Sequence, residues 1–158
     1  MKIAIIALLL FLPINIFAGN KQQFYNASDI YGTSIIEPNS ICKDRRGFIW
    51  IASKSGVYRL SDNNCKLYVL PYSSMNVVSV EITHRENRLV AFTNQGEVFS
   101  YDPVADRFSY CMNFPEMINR DSAYLSQIEI DDKGDMWIAS SSGLYVYSDS
   151  TLVPLDDV

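Results

Sequence analysis

Residues 41–62 read ICKDRRGFIWIASKSGVYRLSD, and residues 128–149 read IEIDDKGDMWIASSSGLYVYSD. Laid at an offset of 87, twelve of these 22 positions are identical, where chance gives about one or two. The shared set includes Asp44/Asp131, Gly47/Gly134, Trp50/Trp137, Ala52/Ala139, Gly56/Gly143 and Tyr58/Tyr145. The offset is long for one repeat and divides into two steps of about 43. A degenerate copy lies midway at 82–102, ITHRENRLVAFTNQGEVFSYD. There Val90 replaces the tryptophan, and the Asp-x-x-Gly turn is lost.

Each copy breaks into four short apolar runs separated by turn-formers. In the first, Asp44-Arg45-Arg46-Gly47, Ser53-Lys54-Ser55-Gly56 and Ser61-Asp62-Asn63-Asn64 are the separators. Four strands in about 40–47 residues is the period of a β-propeller blade. Runs such as Phe48-Ile49-Trp50-Ile51-Ala52 do not alternate polar with apolar, which suits strands covered on both faces. The expected fold is therefore all-β: about three four-stranded antiparallel blades, at about 35–70, 77–111 and 125–155. Closed propellers typically have about four to eight blades, so this propeller is incomplete. Residues 22–26 read as the closing strand of a missing blade.

The pattern I-x-x-D-x-x-G-x-I-W-I-A-x-x-x-G-L-Y-x-Y resembles the two-component regulator propeller repeat. The resemblance covers 41–62 and 128–149 well and 82–102 weakly. Phe24-Tyr25 through Ser40 resembles the lead-in to the family's first blade, and Tyr101-Asp102-Pro103 followed by Phe108 its turn into a last strand. The resemblance implies the extracytoplasmic half of a hybrid histidine-kinase sensor, of the kind that detects polysaccharide breakdown products in Gram-negative bacteria. It implies a fragment of such a receptor, with no output domain in this chain. A stand-alone secreted binding protein that completes its ring by self-association is the alternative.

The first eighteen residues fit secretion. Lys2 precedes an apolar run from Ile3 to Phe17, too short for the roughly 20 residues of a membrane-spanning helix. Ala18 offers a small residue for cleavage, so 1–18 reads as a signal peptide and 19–158 as the partial propeller. The expected location is periplasmic or secreted, with no membrane span after cleavage.

Composition narrows the chemistry. The chain has 158 residues, a formal net charge of −5 and one histidine. The acidic balance argues against nucleic-acid binding, which needs a basic stripe. A propeller lyase needs converging His and Glu side chains, and His84 falls in the first turn of the degenerate copy, where a solvated loop residue is expected. No enzyme, metal site or cofactor is expected. Around Gly134 the acids Asp131, Asp132 and Asp135 lack the calcium-loop order, because Lys133 stands at the third position. Trp50 and Trp137 are expected to pack between blades. Gly56, Gly96 and Gly143 are expected to adopt positive φ in turns.

The cysteines are expected to stay unpaired. Cys42 and Cys65 lie three strand spacings apart, about 14 Å at ~4.8 Å each, beyond the roughly 7 Å that a disulfide spans.

Ligand contacts are expected on the ring face that carries the second-to-third strand turns and the inter-blade connections, at 71–76 and 112–124. Lys54, Tyr72, Asn94, Gln95, Asn119, Arg120 and Tyr124 lie there. Aromatic rings beside amide and basic groups suit an oligosaccharide. The energetics point to an unfinished ring: an exposed blade face of about 400 Å² forfeits roughly 10 kcal/mol, comparable with a domain's stability. The isolated chain is therefore expected to be marginal, to aggregate or to self-associate through its blade faces.

Overall fold

The structure, a computed structural model, describes residues 23–62, 64–72, 80–86 and 88–155, without the side chains of 80–82. Residues 1–18, read above as a signal peptide, lie outside the described residues. Among the described residues, three four-stranded antiparallel meanders follow one another. Blade 1 is β1 (Pro38–Lys43), β2 (Ile49–Ser53), β3 (Gly56–Ser61) and β4 (Asn64–Tyr68). Blade 2 is β5 (Val80–Arg85), β6 (Arg88–Thr93), β7 (Glu97–Asp102) and β8 (Arg107–Asn113). Blade 3 is β9 (Leu125–Ile130), β10 (Met136–Ser140), β11 (Gly143–Ser148) and β12 (Thr151–Pro154). β5 lies against β1 on one side and β9 on the other, so the first strands of successive blades gather together. None of the sheets closes, and the three blades form an incomplete propeller.

The register repeats with the sequence. Trp50 stands opposite Cys42 and Arg59, and Trp137 opposite Glu129 and Val146. These are equivalent positions at the offset of 87. The expected turn glycines all have positive φ: 127° at Gly56, 98° at Gly96 and 121° at Gly143. At Gly56 close approach adds a second constraint, because a Cβ would stand 2.4 Å from the Tyr68 carbonyl oxygen.

Blade 2 is sandwiched. In β6, Leu89 and Ala91 join Trp50, Ala52, Val57 and Tyr68 of blade 1 in one buried cluster. The alternate residues Val90 and Phe92 join Ile128, Met136 and Ile138 of blade 3 in a second. That is why the run carries no polar alternation: both faces of the sheet are core.

Blade 3 differs. β10 alternates, with Met136 and Ile138 buried and Trp137 41% exposed. Trp137 does not pack between blades among the described residues, contrary to the expectation. Its face is turned away from blade 2, and no described element covers it.

Two further points differ from the sequence reading. The connection expected over 112–124 begins with the end of β8 and contains a short helix at Phe114–Met117, started by Pro115. At the N-terminal side, residues 23–26 lead into a helix over Ala27–Tyr31 without strand pairing, and Gln22 lies outside the described residues. The described residues show no strand partner for 23–26 and do not test the closing-strand role expected for 22–26.

Candidate functional site

The register places the predicted ligand residues at one end of the strands. Tyr68 pairs with Val57, Asn113 with Glu97, and Leu125 with Ser140. The turns after β2, β6 and β10 therefore share a rim with the connections leaving β4 and β8. Tyr72 donates its hydroxyl to the Lys54 carbonyl at 3.3 Å, which joins the first two predicted residues. The Asn94 carbonyl accepts from Leu125 N–H at 3.1 Å, bringing the Asn94-Gln95 turn of blade 2 beside Tyr124. Tyr124 is itself fixed by two bonds to Ser141, at 3.1 Å to the hydroxyl and 2.9 Å through its own carbonyl. Asn119 and Arg120 are held on the turn after the 114–117 helix, by bonds to the Glu116 and Pro115 carbonyls. Gly96 seats that helix: its carbonyl accepts from Phe114 N–H at 2.8 Å, and a Cβ there would meet Pro115 at 2.3 Å. The Lys54 ammonium and Arg120 guanidinium make no hydrogen bond or ion pair among the described residues.

The opposite rim carries the hairpin tips, and it explains the repeat motif. Asp44 Oδ1 accepts from the N–H groups of Arg46 and Phe48, while Oδ2 accepts from the Trp50 indole at 2.8 Å. Asp131 repeats the arrangement, with Oδ1 on Lys133 and Asp135 N–H and Oδ2 on the Trp137 indole at 3.2 Å. That indole hydrogen bond holds the Asp131 carboxyl below the usual carboxylate range. The Asp of D-x-x-G-x-x-W thus closes the turn and satisfies the tryptophan. Blade 2 has lost both together: Val90 has no side-chain N–H to satisfy.

The same rim holds the blades to one another with charge. Arg45 bridges to Glu86 at 2.6 Å from blade 1 to blade 2, and Arg85 pairs with Asp132 from blade 2 to blade 3. The densest junction is at Asp106, in the turn before β8. Its Oδ1 accepts from Arg59 Nη1 at 2.9 Å and from the Tyr68 and Tyr101 hydroxyls at 2.6 Å each, and its Oδ2 from Lys66 Nζ at 2.5 Å. The Lys66 hydrogen bond, then those of Tyr101 and Tyr68, hold the Asp106 carboxyl far below its ordinary value. Burial and donation to Asp106 push both tyrosine hydroxyls up. Arg59 also lies over the Phe48, Trp50 and Tyr68 rings, 5.1–5.6 Å from their centroids.

Sequence reading missed this junction. Its signal was Arg59 and Lys66, cross-strand neighbours carrying charge on the face of β3 and β4 that blade 2 covers. Their partner lies 40 residues or more away, and no local pattern marks it.

His84 is also placed differently from the expectation. It lies in β5 opposite Leu89, half-buried, on the face turned to blade 1. There it lines a pocket of about 170 Å³ between the tips of blades 1 and 2. Cys42, Cys65 and Cys111 are free, and burial, with the neighbouring Asp44 charge, pushes the Cys42 thiol up to about 12.

No protein-family model matches the chain, and no curated protein does. Solved structures do. The extracellular domain of BT4673 from B. thetaiotaomicron, classed as a one component system, superposes with a TM-score of 0.64 at 21% identity, over 83% of this chain and 18% of that one. A second structure of the BT4673 extracellular domain, classed as a hybrid two component system, gives 0.63 at 17% identity, over 82% and 17%. The extracellular domain of BT3049 from the same organism, of the same class, gives 0.59 at 17% identity, over 84% and 19%. The chain spans less than a fifth of the length of these structures. Its fold is that of a stretch of such sensor domains.

Proposed function

We propose that this chain is the ligand-sensing part of an extracytoplasmic receptor of the hybrid two-component kind, and that its ligand is derived from a glycan. The observation that carries the reading is the fold shared with extracellular sensor domains over 82–84% of the chain. Secretion through the apolar leader at 1–18 agrees with it, and no helix among the described residues is long and apolar enough to cross a membrane. The role is binding rather than catalysis. Sugar rings stack on Tyr72 and Tyr124, while Lys54, Asn94, Gln95, Asn119 and Arg120 supply hydrogen bonds from the same rim. Titration of the purified chain against defined oligosaccharides tests this. Saturable binding of at least one, weakened several-fold by Tyr72→Ala and Tyr124→Ala, is expected from the loss of aromatic contact. Absence of binding across the panel, or variants that bind like the parent, would contradict it.

The exposed Trp137 face favours a second reading, a secreted binding protein that completes its ring with a second copy. Two copies supply six blades, within the usual range. Sedimentation separates the readings: a dimer in which Trp137→Glu restores the monomer supports the second, and a concentration-independent monomer removes it.

A further inference from the structure

The pocket between the tips of blades 1 and 2 lies on the rim opposite the loop residues above, so it is independent of the glycan reading. Phe48, Trp50, Leu89, Tyr101 and Pro103 make up its apolar lining. The lining is rigid. Trp50 is fixed to Asp44 and meets Tyr101 edge-on, with ring centroids 4.8 Å apart at 65°.

Most polar groups around the pocket are already engaged. Asp44 is occupied by its turn and the indole, Arg59 by Asp106, and Arg45 by Glu86, which also lines the pocket. Two donors are left. The Arg46 guanidinium and the His84 imidazole, both lining the pocket, have no hydrogen-bond or ion-pair partner among the described residues. An apolar wall with surplus donors at its mouth asks for a ligand with an apolar ring body and an acceptor head. A guanidinium matches a carboxylate in two parallel hydrogen bonds. The pocket volume is about 170 Å³, below the roughly 300 Å³ at which drug-sized sites begin. There is room for one ring and not for a chain of them.

We infer that this pocket binds a small carboxylate carried on a single ring, with the carboxylate on Arg46 and His84 and the ring against Phe48 and Tyr101. An aromatic acid and a sugar acid share this chemistry. Glu86 is then a competitor, since it holds Arg45 away from the bound anion.

The test is an NMR titration of the purified chain with sodium benzoate and sodium glucuronate. Benzyl alcohol and glucose serve as neutral controls. The chain has two tryptophans, and their indole N–H signals report position. The expected result is a saturable shift of the Trp50 signal with one or both acids, the Trp137 signal unmoved, and little response to the neutral compounds. A response to benzoate alone identifies an aromatic acid, and a response to glucuronate alone a sugar acid. Arg46→Ala weakens binding roughly tenfold or more, as loss of a charged hydrogen bond does. Glu86→Gln tightens it by freeing Arg45. Both side chains are exposed, so the fold survives either change. No shift of the Trp50 signal with either acid, equal shifts with the neutral analogues, or an Arg46→Ala variant that titrates like the parent would each overturn the inference.

Discussion

Trp50 and Trp137 occupy the same hairpin twice. Each donates its indole N–H to the aspartate six residues before it, and each is the second residue of its blade's second strand. Yet Trp50 is 1% exposed and Trp137 41%. The local sequence builds the hairpin in both places, and the next blade alone decides whether the ring is core. Blade 2 supplies Leu89, Phe99 and Phe108 over Trp50. No described element does so for Trp137. The comparison separates what a repeat makes by itself from what it obtains from its neighbour.

Truncating the two rings separates the two blades most strongly. Trp50→Ala is expected to cost about 4 kcal/mol, as for other buried Trp residues, and Trp137→Ala roughly 1 kcal/mol, read from denaturant midpoints at constant slope. Equal losses would mean that the two faces are equally covered.

The paired glycines come next. Gly56→Ala and Gly143→Ala meet the same positive φ, which costs an L-residue on the order of 1–3 kcal/mol. Only Gly56→Ala also drives a methyl into backbone, whereas at Gly143 the nearest neighbour is 3.9 Å away. Gly56→Ala is therefore expected to exceed Gly143→Ala by about 2 kcal/mol, because overpacking adds to the strain.

Removing the turn aspartates sharpens the contrast further. Asp44→Ala leaves a buried indole N–H without an acceptor, at about 2 kcal/mol, whereas the Trp137 indole exposed by Asp131→Ala finds water, at less than about 1 kcal/mol.

The smallest effect is one of pH. Asp106 has a depressed folded-state pKa, so its contribution is complete above the ordinary carboxylate value of 3.8 and is lost as pH falls through the folded value. The melting-temperature difference between the parent and Asp106→Asn should be constant from pH 7 to about 5 and shrink toward pH 2. A difference that does not change with pH would mean that Asp106 is not held ionised by Lys66 and the tyrosines.

The twelve strands were legible in the sequence because each hairpin is local. Ser53-x-x-Gly56 and Ser140-x-x-Gly143 make the same turn, each serine hydroxyl accepting from the N–H two residues on. The Asp44–Trp50 spacing closes the preceding turn. What the sequence did not disclose is contact between blades. Asp106 meets Arg59, Lys66 and Tyr68 only after blades 1 and 2 pack. His84 turns toward blade 1 rather than solvent because it stands opposite Leu89 in a strand, not in a turn. The run Met136-Trp137-Ile138-Ala139 reads as doubly buried, as its equivalent in blade 1 does, because the sequence of a blade does not record whether a neighbour is present. Of the seven loop residues, their common rim was legible from strand counting. The bonds from Tyr72 to Lys54 and from Asn94 to Leu125 required the packed structure.

Blade 3 offers the same hairpin as blade 1, with its outer face uncovered among the described residues. Two single-tryptophan variants, Trp50→Phe and Trp137→Phe, test it directly through acrylamide quenching at a dilution where sedimentation shows a monomer. Blue-shifted, weakly quenched emission is expected when Trp50 alone remains, and red-shifted, strongly quenched emission when Trp137 alone remains. Equal quenching of the two would contradict it.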